Sequence, residues 1–115
     1  MTTMYGIPNC DTIKKARKWL QNNNIDYDFH DYKKTGVPEK ELKQWVKKVG
    51  WEILLNRRGT TWRKLDHSIK ENIDEASAIQ VMIENPSAIK RPVLKTDSQL
   101  LVGFTEDTYK EAFNK

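Results

Sequence analysis

A chain of 115 residues, 37% hydrophobic and 31% charged, is long enough for one domain with its own core, so it needs no disulfide framework, and it has no apolar run long enough to cross a bilayer. The formal charge of +4 is spread along the chain rather than gathered in a tail, which permits anionic partners without requiring one. One cysteine excludes an internal disulfide. With an N-terminus that lacks the basic start and apolar run of a signal peptide, it makes the cytoplasm the expected compartment.

Taken in order, Thr2 to Ile7 is β-prone and predicts a first strand, and Pro8-Asn9 a turn. A helix is expected from Asp11 to Asn23, with Ile13, Ala16 and Leu20 on one face and the run Asn22-Asn23-Asn24 as its stop. Ile25 to Tyr32 alternates apolar and polar residues and predicts a half-buried strand. The opening is therefore β-α-β, an α/β arrangement with two parallel strands. Pro38 suits the first turn of a helix carrying Leu42, Trp45, Val46 and Val49 and ending at Gly50. Trp51 to Leu55 is a short apolar run, and Asn56 to Thr61 a polar loop. Glu75 to Glu84 is again helical, stopped by Asn85-Pro86. Val93–Thr96 and Leu100–Phe104 predict an antiparallel hairpin, followed by a last helix capped by Thr105. No repeat or linker interrupts the chain, so residues 1–115 are expected to form one domain.

Cys10 lies between the first strand and the first helix. Unpaired backbone N–H groups at a helix start favour an anion and hence a thiolate; Asp11 opposes this, and Lys14, four residues on, partly offsets Asp11. Position alone leaves two readings of Cys10, a reactive thiol or a small buried hydrophobe. Arg57, Arg58 and Arg91 are the candidate anion binders, because a guanidinium fork matches carboxylates and oxyanions. His30 and His67 are isolated and read as a strand-surface and a loop residue, and no spacing suggests a metal site. Lys14, Lys15, Arg17 and Lys18 read as a solvated helix face rather than a nucleic-acid surface.

Four blocks carry a resemblance that spans the chain: Tyr5-Gly-Ile-Pro-Asn-Cys10-Asp-Thr-Ile-Lys-Lys-Ala-Arg17, Leu54-Leu-Asn-Arg-Arg58-Gly-Thr-Thr-Trp-Arg-Lys-Leu65, Ile89-Lys-Arg91-Pro92-Val-Leu and Leu101-Val-Gly-Phe104. Together they resemble the arsenate-reductase-like (ArsC/Spx) family, in its YffB-type branch. The resemblance implies a thioredoxin-like fold: a four-stranded mixed sheet flanked by helices, with a helical insertion at about 38–84. It implies that Cys10 is the active thiol, that Arg58 and Arg91 face it, and that Pro92 is in the cis form. Asn9 and the backbone N–H groups of Asp11 and Thr12 would cradle the thiolate or an oxyanion, with Lys14 nearby.

The position three after Cys10 is Ile13 rather than a second cysteine, so an external thiol must resolve any adduct. The resemblance thus implies a thiol-dependent reductase with glutathione as co-substrate and no bound cofactor, acting on mixed disulfides and weakly on arsenate. Its partners would be glutathione or a glutathionylated substrate, and glutaredoxin. Gly103 stands where arsenate reductases of the family carry a further arginine, which argues against arsenate as the natural substrate. The alternative is a non-enzymatic Spx-like regulator that binds RNA polymerase.

Overall fold

The computed structural model describes residues 1–115. In chain order its elements are β1 (Thr3–Gly6), α1 (Asp11–Asn22), β2 (Asp28–Asp31), α2 (Tyr32–Thr35), α3 (Glu39–Val49), α4 (Trp51–Leu54), α5 (Thr60–Arg63), α6 (His67–Glu71), α7 (Glu75–Glu84), a 3-10 turn at Pro86–Ala88, β3 (Val93–Lys95), β4 (Leu100–Val102) and α8 (Glu106–Phe113). They divide into two units, Met1–Lys34 with Arg91–Lys115, and Thr35–Lys90. No helix is long and apolar enough to cross a membrane.

The first unit is built on a four-stranded sheet in the order β2-β1-β3-β4. β1 and β2 are parallel, β1 and β3 antiparallel, and β3 and β4 form the expected antiparallel hairpin. This is the mixed sheet of a thioredoxin-like fold. Its core follows from spacing. Ile13, Ala16, Trp19 and Leu20 of α1 recur at three- and four-residue intervals and are all buried. They join Met4, Leu94 and Tyr109 in one cluster, with Phe29, Leu101, Phe104 and Phe113 packed against it. A Cβ on Gly6 would come within 2.2 Å of Ile13 Cδ1, so the absent side chain is what lets α1 approach β1. Asn23 ends α1, its Nδ2 donating to Trp19 O over 2.9 Å.

β2 is shorter than the sequence alternation predicts. Ile25 and Tyr27 pack on the core cluster but form no ladder; pairing begins with Asp28 opposite Thr3, and Tyr32 already turns into α2. Arg17 corrects the reading of a solvated helix face. It is half-buried, its guanidinium lies 4.4 Å from the Phe29 ring centroid, and its Nε donates to Tyr27 Oη over 2.9 Å.

The second unit is helical. Leu42, Trp45 and Val46 are the buried stripe of α3, and Gly50, at φ 89°, ends it. Pro38 precedes the helix as its N-cap rather than lying in its first turn. Trp51–Leu54 forms a single turn, α4, and Thr60–Thr61, expected to close the polar loop, opens α5 instead. His67 lies in α6 rather than in a loop and pairs with Glu71 at 2.7 Å. α7 has the bounds the sequence predicts and starts from a capping box: Asp74 Oδ1 accepts from Ser77 N while Ser77 Oγ accepts from Asp74 N, both at 2.9 Å. Leu55 and Ile89 form an isolated antiparallel bridge, extended by Asn56 N donating to Ala88 O at 2.8 Å and Lys90 N to Leu54 O at 2.7 Å.

Candidate active site

Strand directions decide what meets at one end of the sheet. Given the register, the C-terminal ends of β1, β2 and β4 and the N-terminal end of β3 all lie at the same edge. That edge therefore carries the Pro8–Cys10 turn, Tyr32, Gly103 and the Arg91-Pro92 dipeptide.

Cys10 is the N-cap residue of α1, with extended backbone at φ −144° and ψ 131°. Its N–H donates to Pro8 O at 3.0 Å, and its carbonyl accepts the first helical bond from Lys14 N at 2.9 Å. The backbone is thus fixed on both sides of the residue. The thiol makes no capping hydrogen bond, is half-buried, and rests against the core cluster of Met4, Ile13 and Leu94. A thiol with its base packed on apolar side chains and its other side open can meet a substrate without local unfolding. Asp11 is the acidic residue of the first turn.

The Arg91-Pro92 peptide bond is cis. Pro92 is buried, and its carbonyl accepts from Gly103 N at 2.8 Å, tying the start of β3 to the end of β4. Arg91 is half-buried and in no ion pair. Gly103 has φ 82°, a conformation that side chains other than glycine rarely adopt. Asn9, Asp11 and Lys14 are exposed and Thr12 half-buried. Tyr32 contributes a buried hydroxyl with no hydrogen-bond partner, and burial, with Tyr5 beside it, pushes its ionisation far up. Sequence reasoning treated Tyr32 only as the end of a strand.

The expected anion binders divide between the units. Arg91 belongs to the sheet unit, with Cys10 and Pro92; Arg57 and Arg58 belong to the helical unit. Within that unit the two arginines differ. The Arg57 guanidinium lies 5.0 Å from the Trp51 ring centroid and 5.9 Å from that of Trp62, and pairs with Glu52 at 3.7 Å. It is spent on its own surroundings. The Arg58 side chain is exposed and unpaired, while its backbone N–H donates to Asn56 Oδ1 at 3.2 Å. Trp51, Trp62 and Glu52 gave no sign of this in the sequence, because Trp62 is brought to Arg57 only by the turn into α5. No three His, Cys, Asp or Glu side chains converge as a metal centre would need.

Comparison with known proteins gives these features a family. A model of the ArsC family matches residues 5–112. An uncharacterized protein of Haemophilus influenzae is 47% identical over 113 residues, covering 98% of this chain and 99% of that protein. The global transcriptional regulator Spx of Streptococcus pyogenes is 28% identical over 93% of this chain and 81% of its own length. Among solved structures, a protein named YFFB superposes with a TM-score of 0.94 at 50% identity, covering 97% of this chain and 98% of that one. An arsenate reductase (ArsC) related protein from Brucella melitensis gives 0.78 at 52% identity, covering 99% and 95%.

Proposed function

Because the chain belongs to the ArsC family, we propose that it is a glutathione-dependent thiol reductase with Cys10 as nucleophile. The observation that carries this reading is the state of Cys10: the chain's single thiol, half-exposed, free of any capping bond, on a backbone held from both sides, at the sheet edge that also carries the cis Arg91-Pro92 bond.

The chemistry takes two exchanges. The Cys10 thiolate attacks the glutathionyl sulfur of a mixed disulfide; a Cys10–glutathione disulfide forms and the substrate leaves as its thiolate. A second glutathione thiolate then attacks the glutathionyl sulfur of that adduct, releasing glutathione disulfide and restoring the Cys10 thiolate. With Ile13 in place of a second cysteine, no internal thiol competes for the adduct. Arg91 and Arg58 supply charge for the carboxylates of the glutathionyl group. Arsenate is the poorer substrate. A compact oxyanion needs several convergent donors, and Gly103 provides none where the arginine of arsenate reductases would stand.

Mass spectrometry after incubation with oxidised glutathione tests this directly. A single glutathione adduct on Cys10, removed by reduced glutathione, is the expected result, together with turnover of a glutathionylated peptide and little reduction of arsenate. An unmodified Cys10 would sink the proposal, and efficient arsenate reduction without disulfide turnover would reassign the substrate.

The likeness to Spx supports a second reading, a regulator that binds RNA polymerase. The lone cysteine counts against a disulfide-switched version of it. Stoichiometric co-purification with polymerase subunits, in a protein inactive toward glutathionylated peptides, would favour it.

A further inference from the structure

α7 is apolar on two sides. Ala78, Val81 and Met82 form one side and are buried. Ala76, Ile79 and Ile83 lie about 140° round the helix from them. Ala76 is exposed and the two isoleucines are half-buried. A surface helix keeps one apolar stripe and turns polar residues outward, whereas a helix that is apolar on both sides belongs where both are covered. The second stripe runs at intervals of three and then four residues, the seam spacing of paired helices.

This seam opens on a cleft of about 450 Å³ whose other wall is α3, with Lys43, Val46 and Lys47. Both walls belong to the helical unit. They carry opposite charge: α3 has four lysines against two glutamates, and α7 has two glutamates and no basic residue. Lys43 is engaged by Glu39 at 3.6 Å. The side chains of Lys47 on one wall and Glu75 on the other are exposed and pair with nothing. A complementary partner therefore offers an apolar helix, an acid for the α3 wall and a base for Glu75. The α7 and α3 of another copy of this chain supply all three.

We propose that the cleft between α3 and α7 is a two-fold self-association surface. The α7 helix of each copy lies in the cleft of the other, and Lys47 faces Glu75 of the partner subunit. A two-fold contact uses one patch twice, so the seam and the rim pair are each made twice. With α7 only about 15 Å long the contact is small, which suits a weak, concentration-dependent dimer rather than an obligate one. The dimer does not depend on the glutathione reading.

Sedimentation equilibrium of the full chain, run from micromolar to about 1 mM, tests this. Wild type should show a reversible equilibrium between monomer and dimer. Ala76→Glu places a charge on the seam at an exposed position where glutamate suits a helix, so it should weaken association about tenfold or more without lowering the melting temperature. Lys47→Glu and Glu75→Lys should each weaken it about tenfold, because the two-fold makes each repulsion count twice. Lys110→Glu, the same charge change on α8, should leave it alone. Mixed in equal amounts, the Lys47→Glu and Glu75→Lys proteins should associate as tightly as wild type, since every acid then faces a lysine of the other copy. Pairing within one chain cannot produce that recovery. A wild-type chain that stays monomeric throughout overturns the proposal. Association indifferent to Ala76→Glu overturns it by placing the contact elsewhere, and so does a mixture no tighter than the single variants.

Discussion

The sheet unit and the helical unit are held together in different ways. In the first, aromatic rings from separate segments converge: Trp19 of α1 meets Tyr109 of α8 edge-on at 5.5 Å, Phe104, from the loop before α8, meets Tyr109 at 4.7 Å, and Trp19 and Tyr109 share one buried cluster with Met4 and Leu94. In the second, α4, α5 and α6 have only four or five residues each, too few to persist through helix propensity. The chain around α4 and α5 is held by the Leu55–Ile89 bridge and by Arg57, which lies against Trp51 and Trp62 and pairs with Glu52. Cys10, the nucleophile of the proposed reductase, sits on the sheet edge against the shared core. Arg57 and Arg58 lie between two of the short helical turns, α4 and α5.

The strongest way to break this comparison is to remove one working group from each unit. Cys10→Ser should abolish turnover, because a serine hydroxyl forms no mixed disulfide, while melting stays close to wild type. Arg58→Met should leave turnover measurable with a raised KM. A Cys10→Ser protein that retained turnover would move the chemistry away from the sheet edge altogether. Next in size is Gly6→Ala. The new methyl would overlap Ile13 Cδ1, whose residue is fully buried, and overpacking of this kind costs about 1–3 kcal/mol. Urea unfolding should show the loss, and an unchanged midpoint would mean that the contact of α1 with β1 is far looser than described.

Gly103→Arg is a smaller perturbation that tests the substrate as well. At φ 82° a side chain costs about 1–2 kcal/mol, so a lower melting temperature is expected even though the position lies at the sheet edge. If arsenate reduction rises despite that loss, the missing guanidinium is what limits arsenate. If stability falls and arsenate activity stays flat, a third arginine at this position is not the missing component.

What the sequence disclosed follows the range over which each feature is encoded. α1, α7 and α8 were legible because their periodicity is local and spans two or more turns. β2 was overextended because alternation reports burial: Ile25 and Tyr27 are packed, yet pairing starts only at Asp28. The helices α4–α6 are too short to show a period. The burial of Arg17 does not show in the helix pattern because Phe29, on β2, and Tyr27, just before it, cover the guanidinium from outside the helix. The cis bond before Pro92 has no local signature, since only about 5% of X–Pro bonds are cis, and it was reached through the family resemblance alone. Cys10 stood out by position and rarity.

The smallest expected effect separates the units by pH. Asp74 caps α7 with its carboxylate, accepting from Ser77 N and from Ser77 Oγ at 2.9 Å each, and these bonds hold its ionisation below the usual carboxylate value of 3.8. A folded value below the unfolded one means that the cap contributes fully above the unfolded value. The contribution is then lost as pH falls through the lower folded value. In the sheet unit α8 is capped by Thr105, whose Oγ1 accepts from Thr108 N at 3.1 Å and does not titrate in this range. Amide NMR between pH 5 and pH 2 should therefore show the Ser77 amide titrating with a midpoint below 3.8, and α7 loosening at its first turn while the Thr108 amide stays in place. Asp74→Asn should keep the cap and remove the pH dependence. Because Asp74 is solvent-exposed, global stability should change little. Parallel loosening of α7 and α8 would mean that acid acts on the chain as a whole, and the contrast between local capping in one unit and shared packing in the other would not hold.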